Sequence, residues 1–129
     1  DGQHPVARLL RQRIRKSTDN RQMIANIEIV CRNLFKYPLE GAELEGLAAV
    51  VFDPPRAGAK EQAARLAALP AGKRPRKLIA VSCNPETFAR DAEILQNGGY
   101  RLCEVTPVDQ FVYTSHCELV ALFVDEGLL

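Results

Sequence analysis

The sequence predicts a doubly wound α/β sheet whose last strand runs antiparallel. Short, almost continuous apolar runs at residues 47–52, 77–82 and 118–124 are typical of strands buried on both faces. Segments with helical spacing of their apolar residues lie between the earlier runs, and this alternation is typical of parallel strands joined by helices. No helical segment separates the last two strands, so one of them is expected to run antiparallel to the rest.

The remaining elements follow from local patterns and stop signals. Apolar residues at helical spacing predict a first helix over residues 5–16, and the stretch 21–26 is ambiguous. A helix over 60–69 stops at Pro70, and a helix from Pro85 to about residue 96 stops at Asn97-Gly98-Gly99, where glycine suits the left-handed cap. The predicted strands are residues 27–30, 47–52, 77–82, 100–106 and 118–124.

The length and composition of the chain indicate its size and exclude few functions. The 129 residues suit one domain, and 17 basic against 16 acidic residues give no global electrostatic case for nucleic acid. Basic residues crowd two places, residues 8–16 and residues 73–77, and each cluster is interpreted as a solvated face. No apolar run is long enough to span a bilayer and no signal peptide is visible, which predicts a soluble, cytoplasmic chain.

The cysteines are residues 31, 83, 103 and 117. They form no CxxC pair and no metal-like spacing with either histidine, so a zinc site is not expected. Most of them lie in apolar, strand-like runs, which suits reduced thiols in a cytosolic protein better than a disulfide framework.

Cys83 differs from the others in its position. The apolar run 78–81 leads directly into Ser82-Cys83-Asn84-Pro85, and Pro85 opens a helix. The thiol is therefore expected at the carboxyl end of a central strand, where open α/β sheets bind their ligands. The alternative is that Cys83 is a small buried hydrophobe, as free cysteines commonly are.

Two further strand ends carry polar groups. Asp53-Pro54-Pro55-Arg56 follows a buried strand, and its prolines make a stiff turn that aims the carboxylate and the guanidinium. Glu118 precedes the last strand, where desolvation at the rim of a core suits a carboxylate for proton abstraction. The alternatives are a rigid surface turn at Asp53 and a surface ion pair at Glu118. A Cys-His hydrolase using Cys83 and His116 is also open, although no oxyanion-hole signature accompanies it.

Together these motifs resemble a known family. They are Asp53-Pro54-Pro55-Arg56-Ala57-Gly58, Ser82-Cys83-Asn84-Pro85 with Phe88-Ala89-Arg90-Asp91, Asp109-Gln110-Phe111, and the segment 116–123. In order and separation they resemble the RNA uracil-5 methyltransferases, which make 5-methyluridine in tRNA and rRNA with S-adenosylmethionine. The resemblance covers residues 47–123 and implies a Rossmann-like class I methyltransferase sheet with RNA as the partner.

The resemblance also implies roles for individual residues. Cys83 would be the nucleophile that adds to C6 of uracil, and Glu118 would be the base that removes the C5 proton. Asp53 would lie where the cofactor and the target base meet. Arg56 would brace its turn or meet phosphate. Asn33 would contact the cofactor adenine, at a position that is usually acidic in the family.

Other parts of the family pattern are not found in this sequence. The cofactor's glycine-rich loop, the acidic end of the second strand, the N-terminal RNA-binding barrel and the upstream cysteine cluster of iron–sulfur relatives have no counterpart. Residues 1–129 are therefore expected to be the C-terminal part of a catalytic domain, apparently truncated. The strand at 47–52 would then have an exposed edge. We expect the strand at 27–30 to take the vacated position, or the chain to form a homo-oligomer through that edge.

Two other functional classes remain open. One is a non-catalytic fragment or interaction domain that cannot bind cofactor alone, and weak or absent S-adenosylmethionine binding by this chain in calorimetry is expected. The other is an amino-methyltransferase acting on adenine or cytosine. Such an enzyme would prefer an aromatic residue where Arg56 stands and needs no cysteine.

Overall fold

The computed structural model describes residues 21–24, 26–108 and 118–128, with side chains from residue 26 to residue 127 of these ranges. The chain divides into two compact units, Asp1–Asn33 and Leu34–Leu129. In the first unit, β1 (Arg21–Ile24) and β2 (Ile27–Val30) form an antiparallel hairpin. The strand predicted at 27–30 is confirmed, and its partner β1 falls in the stretch that the sequence left ambiguous. The predicted helix over 5–16 lies outside the described residues.

The second unit contains the four-stranded sheet. Its strands are β3 (Ala49–Phe52), β4 (Lys77–Ser82), β5 (Tyr100–Val108) and β6 (Glu118–Asp125), with helices α1 (Lys60–Ala68) and α2 (Pro85–Asn97). The strand order is β3-β4-β6-β5, in which β3 and β4 are parallel and β6 is antiparallel to both of its neighbours. The predicted α/β sheet with an antiparallel last strand is confirmed.

Both helices contribute to one core on one face of this sheet. Alternate residues of β4 and β6 are buried, as expected when side chains alternate between the two faces of a strand. The core is formed by Leu44, Ala63, Leu66, Leu78, Ala80, Ala92, Leu95, Tyr100, Leu119, Ala121 and Phe123. The other face is less covered within the described residues, since Val51 of β3 is 64% exposed. Burial on both faces, which the apolar runs predicted, therefore does not hold for β3.

A buried ion pair holds the opposite end of the sheet from Ser82. The Arg74 guanidinium donates to Asp125 Oδ1 at 2.8 Å, with the two side chains 3% and 0% exposed. Its central carbon lies 4.4 Å from the centroid of the Tyr100 ring, whose hydroxyl donates to the Pro75 carbonyl. The interpretation of residues 73–77 as a solvated face is therefore wrong for Arg74, because its charge is neutralised inside the fold.

The outer edge of β3 has no strand beside it in the described part of the chain. The hairpin of β1 and β2 forms its own two-stranded sheet, separate from the four-stranded one. The expectation that the strand at 27–30 takes the vacated position is therefore wrong, because in the described residues β2 pairs with β1 and not with β3. Within the described ranges, no helix has the length and apolar character needed to cross a membrane.

Candidate active site

The parallel pairing of β3 and β4 brings Asp53 and Cys83 to the same end of the sheet. The last pair in this ladder is Phe52 with Ala80, and Asp53 follows Phe52 directly. Cys83 follows Ser82, the last residue of β4. Asp53 is exposed and Cys83 is half-buried, so both are open to a ligand at the carboxyl end of these strands.

Glu118 lies at this same end because β6 is antiparallel to β4. The last pair of their ladder is Ser82 with Leu119, so Cys83 and Glu118 are the residues immediately beyond it on each strand. Directly opposed residues of antiparallel strands have Cα atoms about 4.5–5.5 Å apart. Glu118 also pairs with Val108, the last residue of β5, and is half-buried. Cys83, Asp53 and Glu118 thus come from three strands to one end of the sheet.

The residues around Cys83 fix the passage from β4 into α2. Ser82 Oγ donates to the Asn84 carbonyl at 3.0 Å and accepts the Asn84 N–H at 3.2 Å. The Asn84 side chain caps the helix by accepting the Glu86 N–H at 3.1 Å, and Pro85 occupies the first turn. Cys83 therefore lies between a strand end and a helix start that are both held by hydrogen bonds.

The turn of residues 53–58 is fastened to the start of α2. The Arg56 carbonyl accepts hydrogen bonds from Asn84 Nδ2 at 3.0 Å and from Thr87 Oγ1 at 2.9 Å. Inside the turn, the Gly58 N–H donates to the Pro55 carbonyl at 2.9 Å. The backbone of the turn is thus tied to the helix that begins directly after Cys83.

A second pair of helix side chains extends this attachment by one turn. Arg90 Nη2 donates to the Ala57 carbonyl at 2.9 Å, and the Ala59 N–H donates to Asp91 Oδ2 at 2.7 Å. Arg90 also contacts its neighbour through an ion pair of 3.0 Å to Asp91 Oδ1. Asp91 is buried, and each of its two carboxylate oxygens accepts a hydrogen bond, Oδ1 from Arg90 and Oδ2 from the Ala59 N–H.

Gly58 is the position where this attachment requires glycine. Its φ of +81° lies in the left-handed region. A Cβ atom built there would lie 2.6 Å from Arg90 Nη2 and 2.8 Å from Asp91 Oδ2. Any larger residue would therefore disturb the side chains that tie the turn to α2.

The sequence interpretation missed the part that α2 plays in this arrangement. It offered Arg56 as the residue that braces the turn, but the bonds at Arg56 are made to its carbonyl, and its exposed side chain has no partner within the described ranges. Thr87 and Asp91 supply the bracing instead, together with Arg90. The available signal was their spacing from Asn84, because side chains three and four residues apart share one face of a helix.

Other predicted site residues are placed differently or not at all. Asn33 is exposed and belongs to the first unit, whereas Cys83 belongs to the second, and its cofactor contact stays a prediction. His116 and the segment Asp109-Gln110-Phe111 lie outside the described residues, so the Cys-His alternative stays untested. Among the residues that the structure describes, no group of three or more His, Cys, Asp or Glu is arranged to hold a metal.

The sheet order, the antiparallel β6 and the polar turns at the carboxyl end agree with the Rossmann-like methyltransferase sheet that the motifs predicted. Residues 25–125 match the sequence profile described as tRNA (Uracil-5-)-methyltransferase. The chain belongs to the tRNA (uracil-5-)-methyltransferase family, and the resemblance read from its motifs is confirmed.

Similar proteins carry related names. A protein of Brucella suis biovar 1, named an uncharacterized RNA methyltransferase, is 52% identical over 101 residues, which are 78% of this chain and 23% of that protein. One of Agrobacterium fabrum with the same description is 50% identical over 103 residues, 80% of this chain and 24% of that protein. The chain therefore spans about a quarter of the length of the curated relatives that it matches.

Solved structures show a weaker likeness. The crystal structure of M1.HpyAVI superposes with a TM-score of 0.43 and 17% identity, covering 71% of this chain and 47% of that chain. The structure titled M1.HpyAVI-SAM complex gives a TM-score of 0.43 and 16% identity, covering 72% of this chain and 48% of that chain.

Proposed function

We propose that this chain forms part of an S-adenosylmethionine-dependent RNA methyltransferase that methylates C5 of a uridine in tRNA or rRNA. Family membership supports methyl transfer to RNA. The observation that carries the uridine-C5 assignment is the meeting of a cysteine and a carboxylate beyond the pair Ser82 and Leu119. Methylation of C5 requires such a pair, because this carbon is a poor nucleophile until another group has added to the ring.

Cys83 starts the reaction in this proposal. Its thiolate sulfur forms a bond to C6 of uracil, and the electrons of the C5–C6 double bond move toward the C4 oxygen. The ring becomes an enolate with raised electron density at C5. The half-buried position of Cys83 supports this role, because the residues on both sides of it, Ser82 and Asn84, are held by hydrogen bonds.

Asp53 is the described residue that best fits the cofactor. Its carboxylate is exposed at the carboxyl end of β3, and no side-chain hydrogen bond or ion pair within the described ranges occupies it. S-adenosylmethionine, when bound, supplies a methyl group on a positively charged sulfur. A carboxylate beside that charge, next to Cys83, would favour binding of the cofactor at the place where the target base lies. Asn33 is kept in the proposal as the contact to the adenine.

Glu118 completes the cycle. The C5 electrons would bond to the methyl carbon while the bond from that carbon to the cofactor sulfur breaks, leaving its electron pair on that sulfur. A base must then take the remaining C5 proton. The C–H electrons then restore the C5–C6 double bond, the bond from C6 to sulfur breaks, and the sulfur of Cys83 regains its electron pair. The position of Glu118 at the start of β6, beside the end of β4, supports this role.

The surroundings of the site add three parts to the proposal. Cys31, Cys83 and Cys103 are free thiols, and this suits the reducing cytoplasm. RNA is the partner, with the target base entering at the carboxyl end of the sheet.

A second copy would pair with the outer edge of β3, which light scattering of the purified protein would detect as a dimer.

The test is methyl transfer by the protein expressed from its complete reading frame. Labelled S-adenosylmethionine and cellular RNA should give 5-methyluridine with the wild-type protein. Cys83→Ala should abolish this product, whereas Cys103→Ala, the matched change at another free thiol, should leave it unchanged. Methylation of a different base, or product formation by Cys83→Ala, would contradict the proposal.

A further inference from the structure

The attachment between the turn of residues 53–58 and α2 is more extensive than packing requires. Three backbone groups, the Arg56 carbonyl, the Ala57 carbonyl and the Ala59 N–H, make four hydrogen bonds with side chains of the helix and its N-cap. The prolines already stiffen the first half of this turn, since they fix φ. The helix side chains fix the second half, where no proline stands.

These bonds hold the backbone and leave the side chains of the turn exposed. Asp53 and Arg56 are both exposed, and neither side chain is used in holding the turn within the described ranges. The donors and the acceptor come instead from the N-cap residue Asn84 and from Thr87, Arg90 and Asp91 of the helix. The arrangement therefore separates two tasks: the helix holds the turn, and the turn presents its carboxylate.

The helix has sources of stability besides this attachment. Asn84 caps α2, and Ala92 and Leu95 pack in the core. Arg90 is 39% exposed, so its ion pair with Asp91 contributes little to folding on its own. The bonds fix the distance between the turn after β3 and Cys83, which lies between β4 and α2.

We infer that Thr87, Arg90 and Asp91 are positioning residues that hold the Asp53 turn at a fixed distance from Cys83. The inference rests on the proposed function, because it assigns these residues to the geometry of that site. Each of them acts through a hydrogen bond to the backbone of the turn. Arg90 acts twice, directly on the Ala57 carbonyl and indirectly by fixing the Asp91 carboxylate that accepts the Ala59 N–H.

The geometry of Gly58 supplies an independent way to disturb the attachment. An added Cβ at this position would meet the Arg90 and Asp91 side chains, so Gly58→Ala displaces the groups that hold the turn or the turn itself. Gly46 is a matched control, because it has a similar φ of +80° and no atom within 4 Å of an added Cβ. Both variants strain the backbone alike, and only one of them disturbs the attachment.

The experiment compares Arg90→Ala, Arg90→Lys, Gly58→Ala and Gly46→Ala in the protein from the complete reading frame. The measured quantities are kcat and KM for S-adenosylmethionine, the thermal midpoint, and the rate at which iodoacetamide alkylates Cys83. A displacement of about 1 Å at a reacting centre costs on the order of 100-fold in rate. We expect a loss of this size in kcat/KM for Arg90→Ala and Gly58→Ala, with the Cys83 alkylation rate unchanged.

Arg90→Lys keeps a cationic donor and should recover most of the activity, and Gly46→Ala should behave as the wild type. Full activity in Arg90→Ala, no recovery in Arg90→Lys, or a loss of activity that only follows a loss of folded protein would overturn the positioning role. An inactive wild-type protein would instead overturn the proposed function and this role with it. The two failures are therefore distinguishable.

Discussion

Cys83 and Glu118 each lie one residue beyond Ser82 and Leu119, the last pair of the ladder between β4 and β6. One residue ends a strand that runs toward the site and the other begins a strand that runs away from it. The antiparallel β6 makes this possible, since a parallel strand in its place would begin at the opposite end of the sheet.

This relationship predicts a trapped intermediate in Glu118→Gln. Glutamine keeps the shape of the side chain but cannot take the C5 proton, so the methylated base stays bonded to the Cys83 sulfur. Turnover should fall by about 10²- to 10⁴-fold, the usual contribution of a general base. A gel of the denatured protein with labelled RNA should show the covalent complex.

The control for this variant is Glu104→Gln, which changes an exposed carboxylate of β5. It should turn over normally and trap no RNA. If Glu118→Gln releases 5-methyluridine at the wild-type rate, another group removes the proton.

The buried ion pair predicts a large loss of stability in Asp125→Ala. This change leaves the Arg74 charge buried without its partner, which costs about 3–5 kcal/mol. Arg65→Ala removes an ion pair to Glu40 whose side chains are 53% and 57% exposed, and this should cost less than about 1 kcal/mol. Urea unfolding of both variants measures their free energies of unfolding. Equal losses of stability would contradict the prediction that the buried ion pair matters more than the exposed one.

The lowered pKa of Asp125 predicts that the fold loses stability in acid. The hydrogen bond from Arg74 holds the pKa of Asp125 below its ordinary value against the opposing effect of burial, and the N–H groups of Gly127 and Gly72 add to this. A lowered pKa in the folded state stabilises the fold above the unfolded pKa of about 3.9. This contribution is lost as the pH falls through the lower, folded value.

Unfolding free energies of the wild type and Asp125→Asn should therefore be measured against pH. The difference in unfolding free energy between the two proteins should be constant near neutral pH and should decrease below about pH 4. A difference that stays constant into strong acid would show that the Asp125 charge is not what stabilises the fold.

The raised pKa of Tyr100 predicts that the fold loses stability at alkaline pH. Burial raises the pKa of Tyr100 to about 12, with nearby Asp125 adding to the rise and Arg74 opposing it. A raised pKa stabilises the fold fully below the unfolded pKa of about 10, and this stabilisation is lost as the pH rises through the folded value. Tyrosinate absorbance should show one tyrosine that ionises late, together with unfolding, and Tyr100→Phe should lack that step.

The fold could be predicted because its signals are local. The apolar runs of β4 and β6, the proline at the start of α2 and the glycines after it mark most elements within a few residues. β1 was missed because its sequence, Arg-Gln-Met-Ile, has no clear alternation and its strand conformation comes from pairing with β2. β5 extends to Val108, past a bulge at Leu102 and Glu104, because β6 supplies partners that far.

The candidate site was only partly predictable, for a different physical reason. The positions of Cys83, Asp53 and Glu118 at strand ends could be predicted because strand ends are visible in the sequence, and their roles stay a prediction. The bonds from Thr87, Arg90 and Asp91 join residues that are 31 to 33 positions apart, and the partner groups are backbone atoms with no sequence signature. The burial of Arg74 likewise depends on Asp125, 51 positions away.

The central claim is that the Cys83 sulfur bonds to the pyrimidine ring, and covalent capture tests it most directly. The protein from the complete reading frame is incubated with S-adenosylmethionine and RNA containing 5-fluorouridine, whose fluorine replaces the proton that Glu118 would remove. Peptide mapping should then find RNA attached to Cys83. An adduct on another residue, or none while methyl transfer to ordinary RNA proceeds, would contradict the account.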